Sequence, residues 1–239
     1  MRGIILAGGH GTRLKPITNY INKHLVPVFN LPMIEYQIAT LKSLGITDML
    51  IVSGREHAGD FLEYLGSGID RGLKFTYKVQ EEAGGIAQAL SLADDFIDYD
   101  GHFAVILGDN IFENTFNSNM RRDKSSKVFL KEVDDASRFG VARLNEHKEI
   151  RNIVEKPKNI DKGLAVTGLY IYPSTVFGII NRLEPSARGE LEITDVNQYY
   201  ARLGALDYEV LSGFWSDAGT PESLAVATQW AISKSKIDD

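Results

Sequence analysis

The hydrophobic residues of this chain form short runs that alternate with segments of helical periodicity. The apolar runs at residues 4–6, 49–52 and 103–107 are typical of strands buried on both faces of a sheet. Residues 73–79 alternate between apolar and polar positions, as a strand does, and helical spacing occurs at residues 33–44, 60–65 and 86–96. The first half therefore predicts an α/β fold with a mostly parallel, Rossmann-like central sheet flanked by helices on both faces.

The second half of the chain has a less regular pattern. It predicts strands at residues 128–130, 141–144, 150–154 and 166–172, and helices at residues 192–203 and 223–232. Thr220, Pro221 and Glu222 have the order of a helix N-cap, a proline at the first helical position and a first-turn acid. No linker, repeat or low-complexity tract divides the sequence. We predict one domain over residues 1–239, with sheet insertions after about residue 110 forming the second wall of a cleft.

Composition narrows the class of protein. The 239 residues are 44% hydrophobic, which is enough for one large core. The formal net charge is −6 and the basic residues form no stripe, so we expect no nucleic-acid partner. No apolar stretch reaches the roughly 20 residues that span a bilayer, and no leader peptide is recognisable at the N-terminus. The absence of cysteine excludes disulfides and thiolate chemistry, and we expect a soluble cytoplasmic protein.

A glycine-rich loop directly follows the first predicted strand. Gly8, Gly9 and Gly11 would let backbone N–H groups approach an anion, and Arg13 adds a guanidinium fork suited to phosphate oxygens. A tight strand-to-helix turn is the alternative explanation of the glycines alone. The loop is neither a dinucleotide fingerprint, because Leu14 stands where the third glycine belongs, nor a P-loop.

Two acids are candidate metal ligands. Asp109 follows the buried strand at 103–107, and ligands of such sheets bind beyond the carboxyl ends of the strands, where the glycine loop also lies. Asp217 precedes the predicted C-terminal helix. Two carboxylates, completed by water and phosphate oxygens, suit Mg²⁺, although an Asp can also cap a turn or stabilise a helix N-terminus.

Other charged residues are ambiguous when taken singly. Lys23 can be a phosphate ligand or a solvated lysine, and Glu155 with Lys156 can be a site pair or a surface pair. Arg188 can likewise be a site residue or a surface residue. The five histidines show no metal-ligand spacing and no Gly-x-Ser-x-Gly elbow occurs, so a hydrolase finds no support.

Taken together, these segments resemble the glucose-1-phosphate thymidylyltransferase family of sugar nucleotidyltransferases, in a short form. The match runs nearly end to end. Its motifs are Gly-Gly-x-Gly-Thr-Arg at 8–13, Asn-Lys-His-Leu-Val-Pro-Val at 22–28, Pro-Met-Ile at 32–34, Gly-Ile-Ala-Gln-Ala at 85–89, Leu-Gly-Asp-Asn-Ile-Phe at 107–112, Arg-Phe-Gly-Val at 138–141, Glu-Lys-Pro at 155–157, Val-Thr-Gly-Leu-Tyr at 166–170, Arg-Gly-Glu-Leu-Glu-Ile-Thr-Asp at 188–195 and Trp-x-Asp at 215–217.

The resemblance implies Mg²⁺-dependent nucleotidyl transfer from dTTP to α-D-glucose 1-phosphate, which gives dTDP-glucose for nucleotide-sugar and polysaccharide biosynthesis. It implies a nucleotide-binding half to about residue 110 and a sugar-phosphate-binding half from about residue 111. Nucleotide contacts are implied for Leu6, Gly8, Gly9, Gly11, Thr12, Arg13, Lys23, His24, Gln80 and Gly85. Sugar-phosphate contacts are implied for Asn110, Gly140, Glu155, Lys156, Val166, Arg188 and Trp215. Asp109 and Asp217 would bind Mg²⁺, and Arg13, Lys23, Asp109, Lys156 and Asp217 would be catalytic.

Several alternatives stay open at this point. Many members of the family have Gln where this chain has His24, so the preference for thymine over uracil is undecided. UTP or another hexose 1-phosphate could serve in the same reaction, and a noncatalytic nucleotide-sugar-binding module is a remote alternative. The chain stops soon after the helix that begins near Thr220, whereas longer members continue into C-terminal helices with a regulatory site, so the sequence leaves feedback control open. Assembly into a homo-oligomer is compatible with the resemblance.

Overall fold

The structure, a computed structural model, describes residues 1–113, 116–117, 119–122 and 124–235. The strands are β1 (Arg2–Ala7), β2 (Pro27–Val28), β3 (Leu31–Pro32), β4 (Asp48–Gly54), β5 (Lys74–Gln80), β6 (His102–Leu107), β7 (Ile111–Phe112), β8 (Ser126–Val133), β9 (Gly140–Leu144), β10 (Ile150–Glu155), β11 (Gly163–Pro173), β12 (Leu206–Val210) and β13 (Trp215–Ser216). The helices are α1 (Met33–Ser43), α2 (Ala58–Leu65), α3 (Ile86–Ser91), α4 (Val176–Ile180), α5 (Ile193–Arg202) and α6 (Pro221–Ser235).

The main sheet has the order β10-β9-β11-β6-β1-β4-β5, and β8 joins it by pairing with both β11 and β12. Strands β6, β1, β4 and β5 are parallel neighbours, whereas β11 is antiparallel to β6, β8 and β9. Strand β12 is parallel to β8, and β10 is antiparallel to β9. Within the described residues, seven of the nine strands therefore share the direction of β1, and β10 and β11 oppose it. The predicted α/β fold with a mostly parallel sheet is confirmed.

Alternating side chains of the central strands build a hydrophobic core on each face of the sheet. Ile4 and Leu6 of β1 join one cluster with residues of α3, α4 and α5, while Ile5 and Ala7 join the opposite cluster with residues of α1 and α2. Because both faces are covered, the strands are apolar along their whole length, which is the pattern that the sequence shows. A third cluster packs α6 against Val28, Met33 and Ile111.

Most of the predicted elements are confirmed, and one helix is shorter than predicted. Helix α3 ends at Ser91, and a 3₁₀ turn over Asp94–Phe96 replaces the rest of the helix expected to residue 96. Ser91 Oγ donates to the carbonyl of Gln88, which is one way in which serine weakens a helix end. The N-cap at Thr220 is confirmed, because its Oγ1 accepts from the backbone N–H of Ser223 at 3.2 Å. No helix in the described part of the chain is both long and apolar enough to cross a membrane.

Candidate active site

Two adjoining cavities open beyond the carboxyl ends of the parallel strands. The first, of about 360 Å³, is lined by Leu6, Gly8, Gly9, Arg13, Lys23, His24, Gln80, Ala83, Gly85, Ile86, Ala89, Leu107, Asp109 and Glu190. The second, of about 410 Å³, is lined by Arg13, Leu107, Asp109, Asn110, Arg138, Phe139, Lys156, Val166, Thr167, Gly168, Tyr170, Trp215 and Asp217. Arg13, Leu107 and Asp109 belong to both walls, so the cavities meet at these three residues.

A larger cavity of about 630 Å³ lies elsewhere, beside β12. Four of its charged residues are already paired with one another, Arg121 with Asp207 and Lys127 with Glu209. None of the site residues predicted from the sequence lines it. The two smaller cavities, which are lined by predicted site residues, are therefore the better candidates for the active site.

The glycine loop lets neighbouring side chains come close to the backbone. A Cβ on Gly8 would lie 2.1 Å from Oε1 of Gln80, and a Cβ on Gly11 would lie 2.9 Å from Cβ of Lys23. Gly11 also has a left-handed backbone, with φ of 63°, where a side chain is strained. The loop is thus a tight turn whose glycines also make room for two of the predicted site residues. Gly9 faces open space, and Gly11 and Thr12 are not on the wall of either cavity.

Lys23 and Asp109 form a sheltered ion pair at the junction of the cavities. Lys23 begins a 3₁₀ turn and its side chain is 8% exposed, and its Nζ donates to Oδ2 of Asp109. Burial alone raises the pKa of Asp109, but the charge and hydrogen bond of Lys23 outweigh it, and the net pKa is lowered. Asp109 is therefore ionised, and its partner in this structure is the lysine that the resemblance assigns to the triphosphate.

Asn110 connects the turn after β6 to strands β11 and β13 at the second cavity. Its Nδ2 donates to Oδ1 of Asp109 at 2.8 Å, and its Oδ1 accepts from the backbone of Gly168 at 2.9 Å and from Nε1 of Trp215 at 2.7 Å. Gly168 permits this approach, because a Cβ there would lie 2.6 Å from Cγ of Asn110. The buried amide thus fixes the positions of an acid and an aromatic ring on the cavity wall.

The second cavity carries Arg138, which belongs to the motif at 138–141 but to which neither the residue pattern nor the resemblance assigns a role in the site. Arg138 Nη2 donates to Oδ2 of Asp217 at 3.0 Å. Lys156 lies nearby, about half exposed, with a left-handed φ of 42° and its backbone N–H bonded to the carbonyl of Phe139. Together with Arg13, these side chains place three cations on the wall of one cavity.

Three predicted sugar-phosphate residues lie beside this cavity and do not line it. Glu155 accepts from Oγ1 of Thr194 at 2.5 Å and is 3.7 Å from Arg188. Arg188 in turn makes its short contacts with Glu192, at 2.8 Å. Gly140 pairs with Glu155 across β9 and β10, and a Cβ there would lie 3.2 Å from Oγ1 of Thr194. These residues form a polar cluster next to the cavity.

The first cavity presents an amide and a neutral imidazole. Gln80 is 7% exposed, and its Nε2 donates to Oε1 of Gln88 at 2.6 Å. Burial, followed by the charge of Lys23, lowers the pKa of His24 to about 3, so the ring is uncharged. His24 Nδ1 lies 3.1 Å from Oδ1 of Asn22, an acceptor, which places the proton on Nδ1 and leaves Nε2 as an acceptor. Gly85, with φ of 100°, packs against the backbone of Leu191.

The acids fit a hard divalent cation. Asp109 and Asp217 both line the second cavity, and carboxylate oxygens are ligands that Mg²⁺ prefers. Among the described residues, no group of three or more His, Asp and Glu side chains forms a metal site, so these two acids would leave the remaining positions to water and phosphate.

Comparison with known proteins identifies the class. The chain belongs to the nucleotidyl transferase family, whose sequence profile matches residues 2–233. Members of this family act on nucleoside triphosphates and sugar phosphates.

Within the family, the similarity leads to a particular enzyme. The chain is 40% identical over 246 residues to the glucose-1-phosphate thymidylyltransferase of Neisseria meningitidis serogroup A, covering 100% of this chain and 85% of that one. A Bacillus anthracis structure assigned to the same enzyme and solved with sucrose is 50% identical, with a TM-score of 0.88 over 97% of this chain and 95% of that one. A UDP-glucose pyrophosphorylase complexed with UDP-glucose is 27% identical, with a TM-score of 0.81 and 98% of both chains covered. The predicted resemblance and enzyme class are confirmed.

Proposed function

We propose that this chain transfers a thymidylyl group from dTTP to α-D-glucose 1-phosphate and releases pyrophosphate. The meeting of the two cavities at Arg13, Leu107 and Asp109 carries the proposal. One cavity would hold the nucleotide and the other the sugar phosphate, so the two reacting phosphates would meet at a wall that carries a guanidinium group.

In this proposal the first cavity recognises the nucleotide. Gln80 offers an amide, which can pair with the polar edge of a pyrimidine base, and His24 offers a neutral nitrogen acceptor. The loop from Gly8 to Arg13 would hold the triphosphate. Gly85, on the wall of this cavity, lets the chain pass close to Leu191.

The second cavity would orient the sugar phosphate. Lys156 and Arg13 supply positive charge, and Val166 and Trp215 supply apolar surface for a sugar ring. Asn110 acts through its neighbours, because its Oδ1 already accepts two hydrogen bonds. The polar cluster of Gly140, Glu155 and Arg188 would contact the sugar from the rim of the cavity.

The reaction then needs no protein nucleophile. An oxygen of the sugar phosphate attacks the α-phosphorus in line, the new P–O bond forms, and pyrophosphate leaves from the opposite side with the bonding electrons. The residues bring the two anions together and neutralise them, Arg13 at the junction and Lys156 in the second cavity. Asp109 and Asp217 would hold Mg²⁺, which when bound supplies further positive charge for the phosphates.

A second candidate is the same reaction with UTP. His24, in place of the glutamine of many relatives, and the fold shared with a UDP-glucose pyrophosphorylase both favour testing it. Thymine and uracil differ by one methyl group, which is worth only about 1–3 kcal/mol in an apolar contact. A cytoplasmic location, assembly into a homo-oligomer and the division into two halves stay predictions.

The test is pyrophosphate release by the purified protein with Mg²⁺, glucose 1-phosphate and dTTP, UTP, CTP, ATP or GTP in parallel. We expect the fastest release with dTTP, a slower one with UTP, and dTDP-glucose as the product detected by mass spectrometry. The Asp217→Asn variant serves as the inactive control. Failure to release pyrophosphate with any of the five triphosphates, tested first with glucose 1-phosphate and then with other hexose 1-phosphates, would contradict the proposal and favour a noncatalytic binding module.

A further inference from the structure

Among the described charged residues on the wall of the second cavity, Arg138 is the one to which neither the sequence pattern nor the resemblance assigns a role. We infer that Arg138 exchanges partners during binding: it neutralises Asp217 in the free protein and moves to the sugar phosphate when Mg²⁺ takes Asp217. This inference rests on the proposed function and adds a phosphate-binding residue to it.

The position of Arg138 suits both partners. It ends the 3₁₀ turn Ala136–Arg138 just before β9, and its Nη2 donates to Oδ2 of Asp217 at 3.0 Å. Its guanidinium carbon lies 5.4 Å from the ring centroid of Phe139, which packs edge-on against Trp215 at 5.1 Å. The aromatic ring supports the guanidinium from one side, so the group can turn between Asp217 and the cavity without leaving this surface.

The charges favour an exchange. The side chain of Asp217 is 16% exposed, so its carboxylate needs a nearby cation, and Arg138 provides one. A metal ion bound to Asp217 would supply that charge instead. Arg138 would then face the cavity without its counter-charge, at the wall where the phosphate of the sugar 1-phosphate is proposed to lie. A guanidinium fork matches phosphate oxygens in a way that an ammonium does not.

Asp109, the other candidate metal ligand, has a cationic partner that is more enclosed than the partner of Asp217. Lys23, the partner of Asp109, is 8% exposed and enclosed beneath the glycine loop. Arg138 is 38% exposed and bonded to Asp217 through one nitrogen, so it has room to move. The two acids therefore have one anchored and one exchangeable cation.

The exchange predicts that the Arg138→Gln substitution changes the affinities for Mg²⁺ and for glucose 1-phosphate in opposite directions. Without the competing cation, Mg²⁺ should bind more tightly, by about threefold, in keeping with a partly exposed ion pair. Glucose 1-phosphate, in the presence of Mg²⁺, should bind about tenfold more weakly, because a charged hydrogen bond is lost. If Arg138 only oriented Asp217, the substitution would weaken the binding of both Mg²⁺ and glucose 1-phosphate. If Arg138 only supported the fold, the substitution would not change one affinity relative to the other.

Both affinities can be measured without turnover. Mg²⁺ binding is followed by the fluorescence of Trp215 in a Trp230→Phe background, since these are the two tryptophans of the chain. Glucose 1-phosphate binding is followed by calorimetry with Mg²⁺ and without nucleotide. Arg143→Gln, on an exposed position of β9, is the matched control and should leave both affinities unchanged. Arg138→Lys should keep Mg²⁺ binding near that of the wild type and restore sugar-phosphate binding only in part.

The outcomes separate this inference from the proposed function. Weakening of both ligands, or no change in either, in a variant whose thermal unfolding matches the wild type overturns the exchange. The proposed function is judged on the wild-type protein alone, by its formation of a nucleotide sugar. If the wild type forms a nucleotide sugar and the Arg138→Gln variant has unaltered affinities, the proposed function is supported and the role of Arg138 is contradicted.

Discussion

Gln80 on β5 donates a hydrogen bond to Gln88 on α3, with Nε2 and Oε1 2.6 Å apart. The other end of the Gln80 amide lies against Gly8, where a Cβ would be 2.1 Å from Oε1. One neighbour thus accepts from the amide nitrogen, and the other leaves space for the amide oxygen. The orientation of Gln80, and with it the pattern presented to a base, is set by two residues of different elements.

Replacing Gln88 by Ala should therefore raise the KM for dTTP about three- to tenfold, the value of one lost hydrogen bond, with little change in kcat. Gln88→Glu keeps an acceptor for Gln80 Nε2 and should stay near the wild-type KM. Steady-state kinetics with dTTP as the varied substrate decide the matter. Equal KM values for the Ala and Glu variants would show that the hydrogen bond does not position Gln80.

The two candidate metal ligands should differ in their effect on stability. Asp109→Asn and Asp217→Asn should each lower kcat at least about a hundredfold, since each removes a ligand of the ion proposed to neutralise the phosphates. Asp109→Asn also leaves the sheltered Lys23 unpaired, which should cost about 2–4 kcal/mol of the free energy of unfolding. Asp217→Asn should cost less than about 1 kcal/mol, because Arg138 can be solvated.

Pyrophosphate release and urea unfolding of the two variants test these statements separately. A near-wild-type rate in either variant contradicts the assignment of that acid as a metal ligand. Equal losses of unfolding free energy in both contradict the distinction between a sheltered and an exposed ion pair.

At Lys156 the effect of the side-chain charge on binding can be measured separately from the effect of the backbone conformation on stability. Its φ of 42° is unfavourable by about 1 kcal/mol for residues other than glycine. Lys156→Gly should thus raise the KM for glucose 1-phosphate at least about tenfold, through loss of a charged contact, while its melting temperature exceeds that of Lys156→Ala. Lys158→Ala, two residues on, is the exposed control. An unchanged KM in Lys156→Gly would remove this lysine from the sugar-phosphate site.

His24 should make stability depend on pH. Burial and Lys23 lower its pKa from 6.5 to about 3, so below pH 6.5 the unfolded chain binds a proton that the folded chain does not. The resulting stability is complete above pH 6.5 and is lost as the pH falls toward 3, by at most about 1.4 kcal/mol per pH unit. Urea unfolding at pH 7.5, 6.0 and 5.0 should show a shallower loss for His24→Gln. Parallel losses in both proteins would contradict a buried neutral His24.

The fold was predictable where burial leaves a continuous signal. Strands β1, β4 and β6 are apolar along their length because helices cover both faces, and the sequence predicts them close to their observed bounds. Helix α4, with five residues, is too short to show a period. The apolar spacing after Ser91 continues into a 3₁₀ turn that packs on the same core, so spacing alone predicts too long a helix.

The site was predictable at strand ends and less so elsewhere. Asp109 and the glycine loop share an edge because parallel strands end together, which topology alone requires. Arg138 meets Asp217 across 79 residues of sequence, and nothing in its local sequence indicates that partner. Gln88 likewise has the sequence position of an ordinary helix residue, although the motif at 85–89 contains it. Contacts between side chains of distant segments are set by packing, which a single sequence does not display.

The wall shared by the two cavities also bears on control of the enzyme. A nucleotide sugar carries both the base and the sugar, so in the proposed function it would occupy both cavities, which adjoin at Arg13, Leu107 and Asp109. Accumulated product would then exclude the incoming triphosphate and the incoming sugar phosphate together. The rate of synthesis would fall as the product pool rises, and the supply of activated sugar would be self-limiting through the catalytic cleft itself.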